Sequence, residues 1–322
     1  MHVLVKGAGV GGLTVAHELS LRGADVTVLD TGDRQAASLL AGGMLAPWCE
    51  RESADEAVLL RGRDAIDQWN TMLPGEVNRN GTLVVAPARD QGELDRFAGR
   101  TSGYEWLDEA QVAALEPSLA GRFRRALFFS LEGHLNPRRV LGLLQEKLAS
   151  RRVAFIDQVT ETTDYNDVVD CTGAARIGQT NGLRGVRGEM LYLETREVVL
   201  SRPVRLLHPR FAIYIVPRGD GLFMVGATMI ETEFDGPVSA RSLMELLNAA
   251  YAVHPAFADA AVVETGAGVR PAFADNFPRV SREADAVVLN GLYRHGFLLA
   301  PAMAEEAANL VFARTEPRGH SQ

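Results

Sequence analysis

Short apolar runs separated by polar or glycine-rich breaks divide the chain into strands and amphipathic helices. The first break carries the most information. Val3-Leu4-Val5 leads into Gly7-Ala8-Gly9-Val10-Gly11-Gly12. A segment with Leu13, Ala16 and Leu19 on one helical face follows, then a second apolar run, Val26–Leu29, closed by Asp30. This order predicts a strand, a tight turn, a helix ended by Arg22-Gly23, and a second strand. Residues 54–73 place Leu59, Ile66, Trp69 and Leu73 near one face and predict one helix, stopped by Pro74-Gly75. Strands are expected at 81–86, 126–131, 153–156 and 167–171. Helices are expected at 90–99, from 107–109 to Glu116-Pro117, and at 136–150, where Asn136 caps and Pro137 takes the first helical position.

From residue 187 the character changes to Val-, Ile- and aromatic-rich runs with glycine turns. Strands are expected at 189–193, 211–216 and 222–227, with Arg218–Gly221 as a hairpin loop. A helix over 239–251 capped by Ser239, strands at 262–265 and 286–289, and an apolar-faced helix at 298–312 complete the pattern, and the last residues read as frayed. The fold class is therefore α/β. A Rossmann-like dinucleotide domain is assembled discontinuously from 1–73, 137–186 and 265–322. A second, antiparallel-β-rich substrate domain comes from 74–136 and 187–264. This organisation predicts a cofactor on one side, a substrate roof on the other and the site between them.

Gly7, Gly9 and Gly12 fit the G-x-G-x-x-G dinucleotide fingerprint, with Val10 and Gly11 inside the same turn. The first glycine permits the turn, the second admits a diphosphate against the backbone, and the third lets the helix lie close to the strand. Asp30 stands about 20 residues further on, where the fingerprint has an acid for a ribose hydroxyl. That carboxylate would repel the 2′-phosphate of NADP, which leaves FAD and NAD. The strand ending on Thr172-Gly173 suggests a second contribution from the carboxyl edge of the parallel sheet.

The 322 residues have a formal charge of −8, which argues against broad nucleic-acid affinity. Two cysteines, Cys49 and Cys171, make no disulfide framework, and the seven histidines show no metal-ligand spacing, so no metal is expected. The first strand begins within two residues of Met1, leaving no room for a signal peptide. No apolar stretch is long enough to span a bilayer, so a cytoplasmic protein is expected.

Five further stretches carry a resemblance: Ser38–Pro47 (SLLAGGMLAP), Val186–Leu191 (VRGEML), Tyr214–Thr228 (YIVPRGDGLFMVGAT), Gly268–Pro278 (GVRPAFADNFP) and Gly291–Glu305 (GLYRHGFLLAPAMAE). Their order over nearly the whole chain resembles the D-amino-acid-oxidase superfamily of flavoproteins, and within it the glycine oxidases of thiamine biosynthesis. The pattern departs from that family in a short 156–167 connection, in Ala272-Phe273, and in His295 where an Asn is expected. The resemblance implies FAD, bound without a covalent bond, with Ser38, Gly42, Gly43 and Met44 along the flavin. It also implies His295 and the Gly296, Phe297 and Leu298 backbone at the flavin's pyrimidine edge. It makes Arg270 the grip on a substrate carboxylate, assisted by Tyr214, with Arg294, Met44 and Met229 lining the pocket. The implied reaction is oxidation of glycine, or another small amino acid, to an imine with O2 reduced to H2O2, and the imine can pass to a thiazole synthase. The alternatives are a D-amino-acid or sarcosine oxidase or dehydrogenase, and a tRNA-modifying relative that the acidic charge disfavours. The family also implies a homo-oligomer.

Overall fold

The computed structural model describes residues 1–32, 37–159, 164–208 and 213–313. The chain divides into two compact units: residues 1–39, 138–185 and 270–322 form one, and residues 40–137 and 186–269 the other. The expected frayed end and the start of the expected 211–216 strand lie outside the described residues. Among the described residues, no helix is long and apolar enough to cross a membrane, and no cluster of His, Cys, Asp and Glu could hold a metal ion.

The first unit contains β1 (His2–Lys6), α1 (Val10–Leu21), β2 (Asp25–Leu29), α2 (Pro137–Ser150), β3 (Ala154–Ile156), β4 (Asp167–Asp170), β5 (Arg279–Glu283), β6 (Ala286–Asn290) and α3 (Gly296–Phe312). Its sheet runs β5-β6-β4-β1-β2-β3 and is parallel except for the β5–β6 pair. Val3, Leu4 and Val5 are all buried, so both faces of β1 are covered, which is why this strand reads as a continuous apolar run rather than an alternating one. Helix α1 is expected to bury one face. Instead Val10, Leu13, Val15, Ala16, His17 and Leu19 are all buried, because α3 also packs against it. Strand β5 reads as polar in sequence (Arg279-Val-Ser-Arg-Glu283) because it is an edge strand, where charged residues are tolerated.

The second unit is built on a nine-stranded sheet with the order 230–231, 184–194, 222–226, 213–219, 204–206, 82–85, 125–129, 105–108, and with Ala261–Ala272 also pairing to 184–194. Most pairs are antiparallel, while 204–206 and 82–85 run parallel. Alternation sorts the two faces. Leu83, Val85, Leu191, Leu193, Ile213, Ile215, Phe223 and Val225 point into one aliphatic core, closed by Leu246, Ala249, Ala250 and Val253 of the helix Ala240–Val253. Ser239 caps that helix as expected, its side chain accepting from the Ser242 N–H. Val84, Ala86, Met190, Tyr192, Tyr214, Val216 and Met224 face the other way.

Residues 40–73 are expected with the dinucleotide domain, but the structure groups them with the second unit. Met44-Leu45 pairs antiparallel with Gly133-His134, and the Cys49 N–H donates to the buried Glu132 carboxylate at 2.7 Å. The long helix expected over 54–73 is two, Glu56–Gly62 and Ala65–Met72, broken where Gly62 ends one helix and Arg63-Asp64 precedes the next. The segment expected to start a helix at 107 is instead a strand, Glu105–Asp108. Asp108 then caps the helix Glu109–Leu115 in a reciprocal box with Gln111.

One ion pair ties the first unit across three elements. Arg282 of β5 donates to both carboxylate oxygens of Asp167 in β4, at 3.0 and 2.7 Å, and to the Leu310 carbonyl of α3 at 2.9 Å. The Asp167 side chain is 1% exposed and that of Arg282 28%. Removing the arginine takes the charged partner from a buried carboxylate, so Arg282→Met should lower the unfolding free energy by about 2–3 kcal/mol, below the roughly 3–5 kcal/mol of a fully buried pair because Arg282 is partly solvated. Urea denaturation at neutral pH measures this. A change below about 1 kcal/mol would mean that the pair is screened like a surface pair.

Candidate functional site

The turn after β1 has no space for side chains. Gly7 has φ +99°, and a Cβ there would meet the Cys171 carbonyl oxygen at 2.7 Å, while a Cβ on Gly12 would overlap the Gly7 carbonyl. A Cβ on Gly9 would lie 3.1 Å from the Ser38 hydroxyl oxygen, which accepts from the Val10 N–H at 3.1 Å. Helix α1 starts at Val10 with no side-chain cap from Gly9 and no acid in its first turn. The positive end of a helix, unopposed by a carboxylate, favours a diphosphate.

Asp30 follows β2. Its carboxylate accepts from the Gly32 N–H at 3.0 Å and from Gln145 at 3.4 Å. A cavity of about 560 Å³ opens beside it, lined by Phe155, Ile156, Asp157 and Gln158. The depression is open to solvent, so the carboxylate stands where a ribose hydroxyl can reach it. These residues fit a dinucleotide: the glycines leave a cradle that any Cβ would fill, the helix start supplies donors, and Asp30 supplies the acceptor.

Thr172 and Gly173 stand at the end of β4, beside Asp170. The Thr172 N–H and hydroxyl both donate to the Asp170 carboxylate, at 3.0 and 2.6 Å, and Arg176 donates to it at 2.9 Å. Gly173, with φ +60°, accepts from Asn290 at 3.0 Å. A Cβ on Gly173 would lie 3.8 Å from Pro271, and the Tyr293 N–H donates to the Pro271 carbonyl at 3.0 Å. The backbones around Thr172-Gly173, Arg270-Pro271 and Tyr293–His295 are thereby brought together. Tyr293 takes a left-handed backbone, φ +48°, as the chain turns into α3. Buried His295 is the N-cap of α3 and provides no side-chain cap. A Cβ on Gly296 would lie 3.3 Å from a methyl of Val10. The starts of α1 and α3, including Phe297 and Leu298, are thus neighbours, with two positive helix ends side by side.

In the second unit, the Gly42–Met44 segment is clamped from two sides. Gly43 has φ +70°, and a Cβ there would overlap the Leu135 carbonyl and press on Pro137. The Leu135 N–H donates to the Gly43 carbonyl at 2.9 Å, and Arg218 donates to the carbonyls of Leu135 (2.9 Å) and Gly42 (2.8 Å). Met44 packs against Met190, Tyr192, Val216 and Met224. The Tyr214 hydroxyl accepts from Arg205 Nη1 at 2.8 Å, and Met229 is 52% exposed.

Four contributors went unread in sequence: Arg205, Arg218, Glu132 and Cys49. Arg205 sits between buried Val204 and Leu206 in a three-residue strand. A lone charge at an inward position is the signal that could have marked it, but the run is too short to register as a strand. Glu132 is fully buried, and burial, opposed by the Cys49 N–H, lifts its carboxyl to about 7. Burial and the neighbouring Glu132 push the Cys49 thiol well up, so it stays protonated.

Residues 2–310 match the family described as FAD dependent oxidoreductase. ThiO of Rhizobium etli, a thiamine biosynthesis oxidoreductase, is 64% identical over 312 residues, covering 96% of this chain and 95% of that protein. The bifunctional protein ThiO/ThiG of Nostoc sp. is 27% identical over 96% of this chain, which spans 52% of that longer protein. Glycine oxidase of Geobacillus kaustophilus is 27% identical over 96% of this chain and 92% of its own. The crystal structure of glycine oxidase from the same organism shares the fold, with a TM-score of 0.80 at 22% identity over 98% of this chain and 95% of that one.

The buried Glu132 carboxyl gives a pH signature. It titrates at about 7 when folded against 4.5 when unfolded, so between those values the folded state holds a proton that the unfolded state has lost. Its contribution is fully present below pH 4.5 and is lost as pH rises through 7, by at most about 3 kcal/mol at 1.36 kcal/mol per pKa unit. Glu132→Gln keeps the acceptor for Cys49 and removes the proton. Unfolding midpoints in urea at acidic and neutral pH should therefore fall with pH more steeply in the parent than in the variant. Parallel pH dependence in both would show that Glu132 is ionised in the folded protein.

Proposed function

This chain belongs to the family of FAD-dependent oxidoreductases, and we propose that it oxidises glycine, or a similarly small amino acid, at Cα to the imine with O2 reduced to H2O2. The observation that carries this reading is the 64% identity to ThiO of Rhizobium etli, sustained over 96% of the chain. The names of the glycine oxidases at lower identity support the substrate. Bound FAD would supply the two-electron acceptor for Cα–H cleavage and the route to oxygen.

The chain's own residues bind and orient. Gly7, Gly9, Val10, Gly11 and Gly12 would hold the diphosphate, and Asp30 the ribose. Ser38, Gly42, Gly43 and Met44, with Thr172, Gly173 and the 294–298 backbone, would hold the ring end. The paired starts of α1 and α3 favour negative charge on that bound group. Arg270 offers a planar fork that meets a carboxylate through two hydrogen bonds, fixing orientation as well as position. Tyr214 would donate a further hydrogen bond to the same carboxylate. Arg294 would line the pocket, with Met44 and Met229 limiting side-chain volume. Proton loss from the substrate ammonium readies the amine lone pair, so no strong protein base is required. The imine can hydrolyse to glyoxylate and ammonia or pass to a thiazole-forming partner. A fusion of the ThiO/ThiG kind, in which this chain spans 52% of the longer protein, supports that hand-off.

Peroxide release with glycine, sarcosine and D-alanine tests the substrate class, and kcat/KM should be highest for glycine. Equal efficiency on all three would favour a general D-amino-acid or N-methyl enzyme. For the anchor, losing one partner of a desolvated charge pair costs roughly 2–5 kcal/mol, so Arg270→Ala should lower kcat/KM for glycine by more than about tenfold. FAD content and Tm should hold steady. Arg270→Lys should fall between, and methylamine, which has no carboxylate, should respond to neither change. Near-native glycine kinetics in Arg270→Ala would move the anchor to Arg294.

A further inference from the structure

Arg205 and Tyr214 are direct partners on adjacent antiparallel strands, so their side chains share one face of the sheet. Arg205 is 3% exposed, although both its strand neighbours are aliphatic and buried. Its Nη1 donates to the Tyr214 hydroxyl oxygen at 2.8 Å and to the Cys49 carbonyl at 3.1 Å, and its Nη2 to Glu52 at 3.2 Å. The guanidinium carbon lies 5.0 Å from the centre of the Phe97 ring and 5.1 Å from that of Tyr214. A charge taken this far from water is costly, and packing alone could be met by an apolar side chain of the same volume.

The chemistry of the pair explains the arginine. A guanidinium carries five donors and no acceptor, whereas a phenol carries one proton and lone pairs that accept. With Arg205 donating into the Tyr214 oxygen, the phenol cannot spend its own proton on Arg205. That proton must go to another acceptor, and the adjacent positive charge strengthens it as a donor. We propose that Arg205 is a positioning residue that occupies the Tyr214 oxygen as an acceptor and turns its hydroxyl proton outward, so that the hydroxyl donates to a substrate carboxylate. This rests on the reading of Tyr214 as a carboxylate contact. Burial pushes the phenol well above its ordinary range, with Arg205 opposing, so the hydroxyl keeps the proton it is to donate.

Acetate is glycine without its amine, so it isolates carboxylate binding. Acetate titrated into the yellow holoenzyme and followed by visible absorbance measures that binding without turnover. Tyr214→Phe should weaken acetate about tenfold, as expected for a hydrogen bond to a charged group. Arg205→Met should weaken it by a similar factor, and the double variant should be no worse than either single one. If Arg205→Met does not fold, Arg205→Lys, which keeps the charge and one donor, decides the matter. It should lose part of the acetate affinity, and lose none when made in the Tyr214→Phe background. If Tyr214→Phe binds acetate like the parent, the carboxylate reading of Tyr214 fails and the proposal with it. If Tyr214→Phe weakens acetate while the arginine variants do not, or if the two losses multiply in the double variant, the coupling is overturned and Tyr214 stands alone.

Discussion

Gly12 lies so close to the Gly7 carbonyl that no side chain can come between them, and the first unit depends on that approach. Because the helix can settle onto the end of β1, its first amides emerge at the carboxyl edge of the sheet. Helix α3 then packs along α1, with Ala300, Ala304, Ala307 and Ala308 among its buried residues. Small residues let the two axes approach, and Gly296 reaches Val10 at the start of both helices. Two positive helix ends brought together repel, and neither N-cap residue, Gly9 or His295, offers a side-chain cap, although Ser38 accepts from the Val10 N–H. An anionic cofactor bound there would relieve both at once. By mass action its binding also stabilises the folded chain, so retention of the cofactor and integrity of this unit are coupled quantities.

The second unit is governed by register rather than by close approach. Leu127, Val84, Arg205, Tyr214, Gly226 and Met190 are successive cross-strand partners in one row of the sheet. A slip of one residue in any strand would send its members into the aliphatic core on the opposite face. That core therefore protects the row: every Leu, Ile and Val held on one side keeps an Arg, a Tyr or a Met on the other. Gly226 beside Tyr214 leaves room that a Cβ would take from Met224 and Met190, at 2.9 and 3.0 Å. Unbranched thioether side chains there can adapt to different occupants of the face.

What could be read in the sequence follows from how local each constraint is. The turn from β1 to β2 is encoded within about 30 consecutive residues, because a G-x-G-x-x-G turn is a backbone requirement that leaves its mark as missing side chains. The Ser239 cap and the last helix, expected over 298–312 and found over 296–312, were legible for similar reasons. The assignment of residues 40–73 was not, since it turns on a two-residue pairing of Met44-Leu45 with Gly133-His134, distant in sequence. Arg205 and Glu132 were not legible either. Their roles come from partners on other strands and loops, and a single charged letter in a short run does not announce a partner. The roles of Tyr214 and Met229 were suggested by resemblance to a family, not by pattern.

Asp30 and Asp170 show why residue type and position do not suffice. Each stands at the carboxyl end of a strand directly beside β1, one following β2 and the other ending β4. The glycine fingerprint singles out Asp30 by its spacing, and the structure shows a physical reason as well. Asp170 is already engaged: Thr172 gives it an N–H and a hydroxyl, and Arg176 gives it a charged donor. Burial alone would raise that carboxyl, but these partners outweigh it and hold it below the ordinary range. Breaking that set to bind a sugar would cost more than a neutral hydroxyl returns, since hydrogen bonds from charged donors are the stronger kind. Asp30 accepts a backbone N–H and a 3.4 Å contact from Gln145, and borders a cavity. It can accept from a ligand without dismantling anything. The same carboxylate is structural on one side of β1 and available on the other, and the difference lies in Thr172 and Arg176 rather than in the aspartates themselves.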